Sequence, residues 1–167
     1  MTATDEFNNP LPQIHRFITG HDKNGKSVYS DALTETVSFW AVGPRSNPAG
    51  FGLAYTTASS PVQLNDDKDL AEFANENEQR TKGGLAKRGG TVMRFVDYPR
   101  TEPHLCTAPS AVTTPSRSLR GTMHQWINHS DSWARMLYVL LDAAVVEVNG
   151  QRLGEELGGM EGVPNSH

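Results

Sequence analysis

Two Asn-Gly pairs, Asn24-Gly25 and Asn149-Gly150, stand near opposite ends of the chain, each flanked by short runs of strand-forming residues. Both residue types tolerate positive φ, which tight hairpin turns require, so each pair predicts a β-hairpin. The first unit is Ile14–Thr19, a polar stretch holding the turn, and Ser27–Ser30; the second is Ala144–Val148, the turn, and Gln151–Leu153. Between them, Thr36–Val42, Phe51–Thr56, Thr91–Val96 and Ala134–Leu141 are rich in aromatic and β-branched residues and read as strands. Ala134–Leu141 is apolar almost throughout, the pattern of a strand covered on both faces. Only Asn65–Gln79 reads as helix, with Leu70, Ala71, Phe73 and Ala74 as a narrow apolar stripe, Asp66 or Asp67 as its cap and Gly83-Gly84 to end it. The expected fold class is therefore all-β with one short helix.

Size and composition set the scale. A chain of 167 residues with 37% hydrophobic content and a mean hydropathy of −0.51 supplies one modest core. The organisation expected is a flexible tail over 1–10, one domain over 11–158, and a second flexible tail over 159–167. A net charge of −4 leaves no electrostatic footprint for nucleic acid or for an anionic membrane. No apolar run approaches the length of a membrane helix, and the first residues lack the apolar core of a secretory signal. The lone Cys106 excludes an internal disulfide framework and a thiolate zinc site. Together these features predict a cytoplasmic protein.

One segment departs from this pattern. Thr101 to Arg120 reads TEPHLCTAPSAVTTPSRSLR, with three prolines, seven serines or threonines and only isolated apolar residues. It has neither strand alternation nor a helical stripe, and is predicted to be a long irregular loop. A cysteine nucleophile built from Cys106 and His104 lacks an orienting acid and is set aside.

Directly after the loop comes Arg120-Gly121-Thr122-Met123-His124-Gln125-Trp126-Ile127-Asn128. A glycine permits a tight turn between strands, an imidazole suits divalent transition metals, and an asparagine can close a strand end by bonding to backbone. Trp126, two residues after His124, shares its strand face. The plain alternative is a hydrogen-bonded histidine beside a core tryptophan. The spacing Gly-x2-His-x3-Asn resembles the second conserved motif of the cupin superfamily. Ser132–Asp142 with Val146–Gly150, Thr19–Asp22 with Gly25–Val28, and Gly90–Asp97 look like the matching parts of small fungal cupins. That resemblance covers most of residues 11–158, with 101–120 as its gap. It implies a cupin-like double-stranded β-helix, or jelly-roll, barrel.

The resemblance also implies a site. Cupins draw further metal ligands from a first motif of two close histidines and a carboxylate, which should follow Tyr98-Pro99. Here only His104 stands in that place. The implied ligands of a divalent metal (iron, manganese or another) are thus His124 and His104, short of an ordinary coordination sphere. The barrel is then incomplete, through a true deletion or a mis-spliced gene, and its open edges leave a sheet-completing homodimer or a bare monomer as outcomes. The resemblance implies a cupin-type oxidoreductase acting on a small, aromatic polyketide-like intermediate against Met123, Trp126 and Tyr138. The alternative it leaves is a metal-free binding or auxiliary module, cyclase-like or isomerase-like, for the same kind of small molecule.

Overall fold

The computed structural model describes residues 7, 9–100, 119, 124, 126–154, 162–164 and 166. Its centre is a four-stranded antiparallel sheet in the order β3-β4-β5-β6, made of Phe39–Val42, Ala49–Thr57, Thr91–Tyr98 and Ala134–Leu141. Two small hairpins accompany it: β1 (Thr19–His21) with β2 (Ser27–Tyr29), and β7 (Glu147–Val148) with β8 (Gln151–Arg152). Both form around the expected turns, and Asn149 and Gly150 take φ of 52° and 76°. The strands of both hairpins are shorter than predicted. Ile14–Ile18 stays outside the sheet except for a bridge between His15 and Thr36.

Strand register divides the central sheet into two faces. One rung carries Trp40, Phe51, Val96 and Met136, and the next carries Leu53, Arg94 and Tyr138. Trp40, Val42, Phe51, Leu53, Val92 and Val96 are buried together as the core of this inner face. The outer face carries Phe39, Gly52, Phe95 and Leu137 on one rung and Gly50, Asp97 and Arg135 on another. A Cβ at Gly52 would stand 2.8 Å from the Phe39 ring, so the ring lies flat on the sheet only because that position is glycine. The residues before β1 cross this outer face. Asn9 donates to the Asp97 carboxylate at 2.8 Å, and Arg135 donates to the Pro12 carbonyl at 2.5 Å.

The helix forms where predicted. A 3-10 turn over Asn65–Asp67 leads into α1, Lys68–Glu78. Asp67 holds the N-cap position with a left-handed backbone and makes no side-chain capping bond. Leu70 and Phe73 are buried, whereas Ala71 is exposed, so the stripe is narrower than its spelling suggests. Phe73 meets Tyr55 of β4 with ring centroids 4.7 Å apart, and the Tyr55 hydroxyl donates to Asp69. Arg16 lies over the other side of Phe73 and donates to the Leu53 carbonyl at 3.0 Å.

One expectation fails. β6 is not covered on both faces: Leu137, Val139 and Leu141 are 53%, 59% and 69% exposed. Asn9 and Pro12 reach the outer face at Asp97 and Arg135, and α1 sends Phe73 into the core cluster. Among the described residues β6 is an edge of the sheet.

Candidate functional site

Asn128 organises the approach to the inner face. It is 7% exposed, and its Nδ2 donates to the carbonyls of Tyr98 (3.2 Å) and Ser132 (2.8 Å). Its Oδ1 accepts from the Ser130 backbone N–H (3.1 Å) and the Ser130 hydroxyl (2.7 Å). The amide thus uses both donors and both lone pairs of its oxygen. That latch pins the chain before β6 to the end of β5 and delivers Trp126 to the sheet. Strand-end closure by Asn128 is what the motif predicts.

Trp126 meets Tyr138 edge-on at 5.8 Å between centroids, and His124 meets the far side of Trp126 at 6.0 Å. The Tyr138 hydroxyl donates to the Met136 sulfur at 3.2 Å and lies 3.0 Å from the Tyr98 hydroxyl. Burial is the main cause that raises both phenols above the ordinary tyrosine value, and Tyr98 raises Tyr138 further. Both therefore stay protonated through neutral pH and serve as hydrogen-bond donors. The indole Nε1 of Trp126 is buried and has no hydrogen-bond partner among the described residues. The result is an aromatic wall with an unmatched donor, suited to a flat molecule that carries oxygen acceptors.

The expected site residues fall into two groups. His124, Trp126 and Tyr138 lie in sequence along this wall, with His124 exposed at its outer end. Met123 and His104 lie outside the described residues, as does Gly121. Among the described residues no group of three or more His, Cys, Asp or Glu is gathered to hold a metal ion. The chemistry this wall displays is hydrogen bonding and aromatic packing.

The sequence reading misses three members of this region. Arg94, 4% exposed, sits on the inner face between Val92 and Val96. Tyr98 ends β5 two residues beyond the predicted strand and supplies the second phenol. Asp97, fully buried, binds Arg135 through two contacts at 2.6 and 2.7 Å on the outer face. A recess of about 450 Å³ opens beside that pair, lined by Phe7, Asn9, Gln13, Ser38, Phe39 and Arg135. Its guanidinium is already neutralised by Asp97, and it lies on the opposite face from Trp126.

An antiparallel β structure with one short helix and an aromatic inner face closed by the Asn128 latch defines the class, a cupin-like β fold. No family model matches the chain. It is 34% identical to oryzines biosynthesis cluster protein J of Aspergillus oryzae, over 89% of this chain and 93% of that one. It is 31% identical to phomopsin biosynthesis cluster protein C' of Diaporthe leptostromiformis, over 84% of each. It is also 31% identical to the cupin-domain-containing oxidoreductase fogC of Aspergillus ruber, over 89% of this chain and 82% of that one. The chain belongs to this family of fungal biosynthesis-cluster proteins, which includes cupin-domain-containing oxidoreductases. No helix among the described residues is long and apolar enough to cross a membrane.

Proposed function

We propose that this chain is a cupin-type oxidoreductase of secondary-metabolite biosynthesis whose substrate is a small, aromatic, polyketide-like intermediate. The observation that carries the reading is the wall formed by Trp126, Tyr138 and Tyr98, with its buried, unmatched indole N–H. A planar ring packs against Trp126 while an oxygen of the ligand accepts from a phenol or the indole. The names of its cupin-domain relatives support the oxidoreductase class.

The phenol pair favours a second reading, a metal-free binding or auxiliary module that assists cyclisation or isomerisation. Two protonated hydroxyls 3.0 Å apart can orient a carbonyl and hold a proton without redox chemistry. Elemental analysis of the purified protein, with His124→Ala beside it, separates the two. A stoichiometric divalent metal that the variant loses supports the oxidoreductase. Ligand-induced thermal stabilisation that survives a chelator, in protein without bound metal, supports the module. A homodimer formed along β6 belongs to either reading, because that strand presents both an edge and an exposed apolar row.

A further inference from the structure

Arg94 is a cation in a place where cations are costly. It stands on the inner face, opposite Leu53 on β4 and Tyr138 on β6, and is 4% exposed. Its guanidinium lies over the rings of Phe51 (5.0 Å) and Trp40 (5.8 Å). One nitrogen, Nη2, donates to the Gly84 carbonyl at 3.1 Å, and Nε is buried with no partner among the described residues. Among the described residues no carboxylate pairs with it. Burial alone lowers its pKa, to about 10, so it remains charged at neutral pH. The contrast with Arg135 is direct: that arginine, on the outer face, is matched by Asp97 through two bonds and by a backbone carbonyl.

An unpaired buried charge is strongly unfavourable unless something neutralises it. The aromatic rings recover part of the cost, since a guanidinium over a ring face is attracted to it. They leave the planar fork without an anion. Trp126 adds a second unmatched donor on the same face, through its contact with Tyr138. A carboxylate suits the two together, because its oxygens accept charge-assisted hydrogen bonds from guanidinium and indole N–H groups. An aromatic ring attached to that carboxylate would face Trp126 and Tyr138.

We propose that Arg94 is the specificity-determining residue of the inner face and selects aromatic acids, binding their carboxylate, over neutral aromatic molecules of the same shape. The assignment rests on the reading that the inner face is the ligand site, and it names the chemical class of the ligand. It also predicts that the counter-charge missing from the protein arrives with the ligand.

The test uses the full chain and two probes of nearly equal shape, 2-naphthoate and its neutral amide 2-naphthamide, by isothermal titration. Wild type should bind the carboxylate about tenfold more tightly than the amide, as a charge-assisted hydrogen bond requires. Arg94→Met should lose that preference and bind the two probes with affinities within about twofold of each other. If both probes bind wild type equally, or the preference survives in Arg94→Met, the assignment of Arg94 is overturned and the aromatic face still stands as a ligand site. If neither probe binds, both readings fall. Should Arg94→Met not fold, the wild-type protein carries the test through the NMR signal of the Arg94 Nε–H. That signal should move on titration with 2-naphthoate and stay in place with 2-naphthamide; an unmoved signal in both overturns the assignment.

Discussion

Asn128 carries more of the local architecture than any other single side chain in the motif. Its four hydrogen bonds join Tyr98, Ser130 and Ser132, and an alanine there removes all four at once, leaving the Ser132 carbonyl only its bond from the Ser130 hydroxyl. Asn128→Ala should destabilise the protein by about 2–3 kcal/mol in denaturant unfolding, the range for losing buried hydrogen bonds and stranding their partners. Asp97 is the corresponding anchor on the outer face. Asp97→Ala strips a mostly buried arginine of its partner and should cost about 3–5 kcal/mol. The phenols make a separate prediction about pH. Burial holds the pKa of Tyr138 in the folded chain above the ordinary tyrosine value, so the unfolded chain releases this proton first as pH rises. The stability it contributes is complete below about pH 10 and is lost progressively above it. Arg94 acts with the opposite sign, because its pKa, lowered by burial to about 10, makes the unfolded chain bind more protons above that pH. Melting temperatures of Tyr138→Phe should therefore decline less steeply above about pH 10 than those of the wild type; parallel declines would contradict this assignment.

Among the elements, α1 and β6 behave in contrasting ways. Phe73 is fully buried between Tyr55 and Arg16, so Phe73→Ala should cost about 3–5 kcal/mol and loosen α1 from β4. β6 has the reverse problem, an apolar row facing outward. If β6 pairs with a second copy, light scattering should find a dimer in the wild type and a monomer after Val139→Lys. A monomeric wild type would contradict the pairing. The contrast also shows what periodicity can and cannot reveal. The limits of β6 were legible because its apolar run is long and bounded by polar residues, and both hairpin turns were legible because Asn-Gly has few alternatives. Coverage of β6 was not, since an apolar strand is spelled alike whether its second face is packed or bare. The N-terminal segment was similarly opaque. Ile14–Ile18 has strand composition, yet Arg16 bonds to the β4 carbonyls through its side chain rather than joining a ladder.

For the molecule as a whole, the sheet separates two arginines into two roles. On the outer face Arg135 is neutralised by Asp97 and tied to the N-terminal segment, an internal ion pair that joins residues 9, 97 and 135. On the inner face Arg94 and Trp126 present donors that the described protein atoms do not satisfy. The site was only partly legible in the sequence. The motif at 124–128 pointed to Trp126 and to the Asn128 latch, whereas Arg94 and Tyr98 became site residues only through strand register. The central claim is that this inner face, with Trp126 as its wall, holds a small aromatic molecule. The chain has three tryptophans, and Trp133 packs against Phe7, away from that wall. The most direct measurement is an NMR titration that follows their indole N–H signals as neutral 2-naphthol is added. Trp126 should shift as its unmatched N–H gains an acceptor while Trp133 stays in place; a moving Trp133 beside a silent Trp126 would contradict the account.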